Sequence, residues 1–85
     1  MDNVTTEILS FFRSLSPAGF DEKKIVASQD LYRDGILDSL STLTLVHFLE
    51  TKFDIRFGPF LVTRKNFSAL DSIHSLVARV QNKEA

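Results

Sequence analysis

The chain has 85 residues, 44% apolar and 25% charged, enough for one modest hydrophobic core in a single domain over residues 1–85 and too few for a deep enclosed active site. With no cysteine it has neither a disulfide framework nor thiolate metal ligands, as a reducing compartment permits. Its 10 basic and 11 acidic residues give a net charge of −1, without the electrostatic footprint of a general nucleic-acid binder.

The amino terminus, Met1-Asp2-Asn3, lacks the basic start and apolar stretch of a signal peptide, and no apolar run is long enough to span a bilayer. The expectation is a cytoplasmic protein acting as a monomer, with no membrane partner. Residues 3–15 read as an amphipathic helix, because Val4, Ile8, Phe11, Phe12 and Leu15 fall on one face. Pro17 and Gly19 end it. The 23 residues from Ser16 to Asp38 keep no period and form a long connection for so small a domain. Phe20, Ile25, Val26, Leu31 and Ile36 are its expected anchors in the core, with a short helical turn over Asp21 to Ala27. Gly35 is expected to supply a backbone angle that a side chain resists.

A second long helix is expected from about Ser39 to Phe53, capped by Asp38 or by Ser39 itself. Thr42, Leu45, Val46, Leu49 and Phe53 form a stripe suited to the core, while Leu40, Leu43, His47 and Phe48 form another on a different side. A helix apolar on two faces is hard to bury all round in a chain this short, so Leu40 and Leu43 are expected to be exposed for a partner or cargo. Asp54 to Val62 is interrupted by Gly58-Pro59, with Ile55, Phe57, Phe60 and Leu61 as anchors, and Thr63 to Asn66 offers a single turn. Ser68-Ala69-Leu70-Asp71 has the form of a capping box opening a last helix, whose Leu70, Ile73, Val77 and Val80 recur at intervals of three and four. The tail from Gln81 to Ala85 is expected to fray. The fold class is therefore all-α: three longer helices and one short one, with a long loop between the first and second long helices.

Catalytic constellations are weak. His47 and His74 are the only imidazoles, and each falls within an apolar helical pattern rather than beside a nucleophile. No metal-ligand spacing is present, so no metal site is expected. Ser39 stands out by position, in Asp34-Gly35-Ile36-Leu37-Asp38-Ser39-Leu40, where an irregular stretch becomes a helix. Unpaired amides and the helix dipole at that point favour a nearby negative charge, so a phosphodiester on this hydroxyl sits in a favourable field. A serine at a helix start is also compatible with a plain cap.

This segment, followed by Leu43, Leu45-Val46, Phe48-Leu49-Glu50 and Phe53-Asp54-Ile55, resembles the acyl carrier protein family, which includes peptidyl and aminoacyl carriers. Asn66-Phe67-Ser68-Ala69-Leu70-Asp71-Ser72-Ile73 also resembles that family's approach to its final helix, so the resemblance covers essentially the whole chain. It implies a small helical bundle with three major helices and a shorter third one. It further implies that a phosphopantetheinyl transferase attaches 4′-phosphopantetheine from coenzyme A to Ser39, where the terminal thiol holds an acyl or aminoacyl group as a thioester. An acyl- or aminoacyl-loading enzyme and downstream acyl-processing enzymes would then be partners, recognising Asp38, Leu40, Leu43 and His47. The chain itself would not be an enzyme.

Charge sets it apart from the acidic carriers of fatty acid synthesis. The helix after Ser39 has Thr44, His47, Thr51 and Lys52 on its polar positions and Glu50 as its one acid, while Ile55 to Phe67 carries only the bases Arg56, Arg64 and Lys65. The chain is more similar to discrete carriers of specialised pathways, such as aminoacyl carriers and carriers of polyketide extender units. Two other functions fit parts of the pattern: an unmodified helical interaction module with Ser39 only a cap, and a helix-turn-helix DNA binder, which the near-neutral charge disfavours.

Overall fold

The computed structural model describes residues 3–84, so the expectations for Met1, Asp2 and Ala85 lie outside the described residues. Four α-helices follow one another: α1 (Asn3–Leu15), α2 (Glu22–Ala27), α3 (Ser39–Phe53) and α4 (Leu70–Glu84). Short 3-10 turns lie at Pro17–Gly19 and Pro59–Leu61, and no strand occurs among the described residues. The short helix is thus α2, inside the long connection. Between α3 and α4, where the resemblance implies a shorter third helix, Gly58-Pro59 limits the backbone to a 3-10 turn, and residues 64–67 form an isolated turn.

Helix α1 packs against α3 and α4. Its buried side is Ile8, Leu9, Phe11 and Phe12, and the Phe11 ring meets Phe48 of α3 at 5.4 Å between centroids. From α3 come Leu45 and Leu49, fully buried, and from α4 Leu70, Ile73, Leu76, Val77 and Val80. Leu9 and Leu76 join the faces already marked by the periodicity because a globular helix buries a stripe wider than one row. Leu15 is exposed instead, since the chain turns away at Pro17 and leaves it on the wall of an open cleft. Helix α4 continues to Glu84, and the last residue of the tail expected to fray, Ala85, lies outside the described residues.

The long connection is held by a few inserted side chains. Ile25, Leu31 and Leu37 are buried, Phe20 and Ile36 half-buried. Val26 is exposed, contrary to its expected role, because adjacent positions on a helix point about 100° apart and two-turn α2 has only one buried side, taken by Ile25. Leu31 is central. Its amide donates to the Ser68 carbonyl at 2.6 Å, and its carbonyl accepts from the amides of Ile36 and Leu37. Gly35 closes this loop with φ 77°, the left-handed angle a side chain resists.

After α3 the chain reverses through Asp54, whose φ of 53° is unusual for a residue with a side chain. Ile55 and Phe57 then enter the core, and Phe57 meets the fully buried Phe67 edge to face at 6.1 Å. Phe60, expected as an anchor, is 80% exposed: on the outside of its 3-10 turn, its ring folds over Gly58 so closely that a Cβ there would lie 2.7 Å from a ring carbon. The expected capping box at Ser68 also fails. The Ser68 hydroxyl donates back to the Lys65 carbonyl, and Ser68's carbonyl is occupied by Leu31.

Leu31→Ala should therefore cost about 2–5 kcal/mol. Urea unfolding followed by circular dichroism should show the midpoint falling at constant slope, whereas an unchanged midpoint would show that the loop is held without this side chain.

Candidate functional site

Asp38 arrives at α3 in an extended conformation, and its carboxylate accepts from the Ser41 amide at 2.8 Å. Ser41 returns the bond, its hydroxyl oxygen accepting from the Asp38 amide at 2.9 Å. This is a reciprocal capping box formed by Asp38 and Ser41. The bond from the Ser41 amide, seconded by the Ser41 hydroxyl, holds the Asp38 carboxyl below its ordinary pKa of 3.8.

Ser39 is accordingly the first residue of the helix and not its cap. It is exposed, and among the described residues its hydroxyl has no hydrogen-bond partner. Of the two caps allowed by the sequence, the structure selects Asp38, because a carboxylate one residue earlier reaches the third helical amide. The spacing of Asp38 and Ser41 was a readable signal for this pairing, and Ser41 is the residue that sequence reasoning missed.

The first two turns of α3 present opposite surfaces. Thr42 is buried, with its hydroxyl donating to the Asp38 carbonyl at 2.7 Å. Leu40 and Leu43 are 73% and 61% exposed. Farther along, His47 is exposed and borders a shallow groove of about 550 Å³, shared with Phe11, Thr44, Phe48, Thr51 and Lys52. Phe48 is half-buried, turned toward Phe11. The four residues singled out around Ser39, namely Asp38, Leu40, Leu43 and His47, all belong to the α3 region and all are exposed.

The one acid of α3 does not face this surface as a free charge. Glu50 is mostly buried, accepts from the Phe57 amide at 2.9 Å and lies 3.7 Å from the Arg56 guanidinium. The bases of the following segment remain outward, with the Arg56 and Arg64 side chains 83% and 66% exposed and Lys65 exposed as well. Among the described residues no group of His, Cys, Asp and Glu is arranged to hold a metal ion, and no helix is long and apolar enough to cross a membrane.

An all-helical bundle presenting an unpartnered serine at the first position of a central helix, flanked by exposed leucines, has the architecture of a carrier domain. The chain is 36% identical over 67 residues to the D-alanyl carrier protein of Lactococcus lactis subsp. lactis (strain IL1403), covering 79% of this chain and 81% of that protein. The D-alanyl carrier protein of Lactococcus lactis subsp. cremoris (strain MG1363) is also 36% identical, over 66 residues, with 78% and 80% covered. The lincomycin biosynthesis protein LmbN of Streptomyces lincolnensis is 32% identical over 78 residues, which are 92% of this chain but 28% of LmbN. No protein-family model and no solved structure matches the chain. The chain belongs to the carrier protein family. Its function is that of an acyl or aminoacyl carrier.

Charge at Asp38 should matter for stability in a defined pH window. Asp38→Asn keeps an oxygen for the Ser41 amide but removes the negative charge from the helix start. Because folding depresses this pKa, its contribution is present above the ordinary value of 3.8 and lost as the pH falls through the depressed one. The melting temperature of the unsubstituted chain should exceed that of Asp38→Asn at neutral pH, and the gap should close in acid. An equal gap at all pH values would contradict this account.

Proposed function

We propose that Ser39 carries a 4′-phosphopantetheine arm and that the cargo held on it is aminoacyl. The observation that carries this reading is the exposed, unpartnered Ser39 hydroxyl, left free by the Asp38–Ser41 box in a chain of the carrier family. When bound, the arm supplies a flexible reach and a thiol able to form a thioester, which a chain without cysteine lacks. The residues fit such a group. The amide of Ser39, at the first helical position, is not used by the capping box and, with the helix dipole, offers a favourable field to a phosphodiester on the adjoining oxygen.

Attachment would need a phosphopantetheinyl transferase: the Ser39 oxygen would bond to the phosphopantetheinyl phosphorus as the pyrophosphate bond of coenzyme A breaks, adenosine 3′,5′-bisphosphate would leave, and the hydroxyl proton would pass to a base of the transferase. The chain's own part is presentation. Asp38 fixes the helix start, and Leu40, Leu43 and His47 form the outward surface met by the transferase, the loading enzyme and later acyl-processing enzymes. With Glu50 withdrawn and Asp38 left as the exposed acid at the start of that face, partner recognition leans on apolar shape and a few charges and weakens less with salt than a densely acidic face would allow. The aminoacyl assignment is supported by the relatives named D-alanyl carrier proteins. One domain acting as a monomer in the cytoplasm completes the proposal.

Incubation with coenzyme A, magnesium and a broad-specificity transferase should add one phosphopantetheinyl group by intact mass, and Ser39→Ala should abolish the addition. Ser41→Ala should still be modified. Adding ATP and a D-alanine-activating ligase should then add one alanyl group that hydroxylamine removes. Absence of the first addition with several competent transferases, or its survival in Ser39→Ala, would sink the attachment site. If the arm is added but no amino acid can be loaded by adenylating ligases, the cargo assignment fails alone.

A further inference from the structure

The segment that delivers Ser39 is gripped from two sides by one pair of side chains. Asp30 accepts from the amides of Tyr32 and Arg33 at 3.1 and 3.2 Å, which winds residues 31–35 into a turn. Arg64, 34 positions later, lies 3.5 Å from the Asp30 carboxylate. The same guanidinium covers the Tyr32 ring, 5.1 Å from its centroid, within the range of a cation–π contact. On its far side Tyr32 reaches α3, with its hydroxyl 2.8 Å from that of Thr42.

The direction of that last bond follows from proton supply. The Thr42 hydroxyl has one hydrogen, and it is given to the Asp38 carbonyl at 2.7 Å. Tyr32 therefore donates to Thr42, and the chain of bonds runs from Tyr32 through Thr42 to Asp38, the residue before Ser39. The Asp38 carbonyl also accepts the Thr42 amide at 2.9 Å. Both bonds end on the peptide unit that links Asp38 to Ser39.

We propose that Tyr32 and Arg64 are positioning residues for Ser39: Arg64 clamps the Asp30–Tyr32 turn, and the Tyr32 hydroxyl, through Thr42, fixes the peptide on which Ser39 is mounted. The orientation of the serine is thereby coupled to the segment between α3 and α4, far away in sequence. The proposal rests on Ser39 as the modified residue. Its consequence is that modification depends on groups which neither touch the serine nor belong to its helix.

Two variants test this without removing core volume. Tyr32→Phe deletes one hydroxyl, and Arg64→Gln removes the charge and the planar cover over the ring. Amide hydrogen exchange should speed up about 3–10-fold at Ser41 and Thr42 in both, the change expected for one lost hydrogen bond, while Val77 in α4 exchanges as before. The kcat/KM for transfer of phosphopantetheine from coenzyme A should fall by a similar factor, and it should be lower still in the double variant only if the two residues act separately. A clamp predicts that the double variant matches the worse single one. Equal acceleration at Val77 would mark a general loss of stability and overturn the proposal, as would unchanged exchange at Ser41 and Thr42 or an unchanged rate of modification. If the unsubstituted chain takes no group, the Ser39 assignment is what fails, and the exchange data alone decide whether the clamp holds the helix start.

Discussion

The structure depends on one pinned residue, Leu31. A 23-residue connection without a strand and with only a 3-10 turn and one six-residue helix has many backbone groups to satisfy, and those that approach the core cannot rely on water. Leu31 resolves this locally. Its side chain is fully buried, its amide is taken by Ser68 just ahead of α4, and its carbonyl takes two amides from the turn that follows. With that residue fixed, Gly35 can reverse the chain, Leu37 can enter the core, and Asp38 is delivered extended at the point where α3 begins. The entries of α3 and α4 are thus held by one backbone contact.

Helix α3 has to serve the core and the surface at once. Thr42, Leu45 and Leu49 face inward, and the helix would be stable with polar residues everywhere else. It instead keeps Leu40 and Leu43 in solvent, at a transfer cost of roughly 25 cal/mol per Å² of apolar surface left uncovered. Glu50 is withdrawn from this surface by the needs of the fold, since it anchors the Phe57 amide after the left-handed turn at Asp54. The acid-poor character of the exposed face is therefore partly a consequence of how the chain leaves α3. One carboxylate cannot both secure that exit and stand free for a partner.

The long helices were legible because a helix that buries one side writes its period into the sequence. α1, α3 and α4 all follow from it, as does the exposure of Leu40 and Leu43, which comes from counting more apolar positions than one helix of a small bundle can bury. Anchors in irregular segments were less legible. Val26 and Ile25 are equally apolar neighbours, and Phe60 and Phe57 are the same residue type, so only the local backbone decides which member of each pair turns inward. Ser39 could be marked from its place between loop and helix, but whether it or Asp38 caps α3 depends on the reach of two adjacent side chains. Tyr32 carried no periodic signal at all: its bond to Thr42 spans ten positions, across a turn whose shape is set by Asp30, Leu31 and Gly35.

Capping usually competes with any other use of a polar residue at a helix start, because an oxygen that satisfies the helix amides is held close to them. Here the competition is removed by dividing the amides. The Asp38 carboxylate takes the amide of Ser41, with a weaker contribution from that of Leu40, its carbonyl takes that of Thr42, and the amide of Ser39 remains at the open end of the helix. A negative group on the Ser39 oxygen would share the dipole with the Asp38 carboxylate, and two negative charges so close would repel each other in water by about 1 kcal/mol at 4 Å. The Ser41 amide and hydroxyl offset part of that repulsion by stabilising the carboxylate charge. The serine can stay undedicated because its neighbour is committed to the cap, which makes the backbone amide of Ser41 part of what leaves the Ser39 hydroxyl unpartnered.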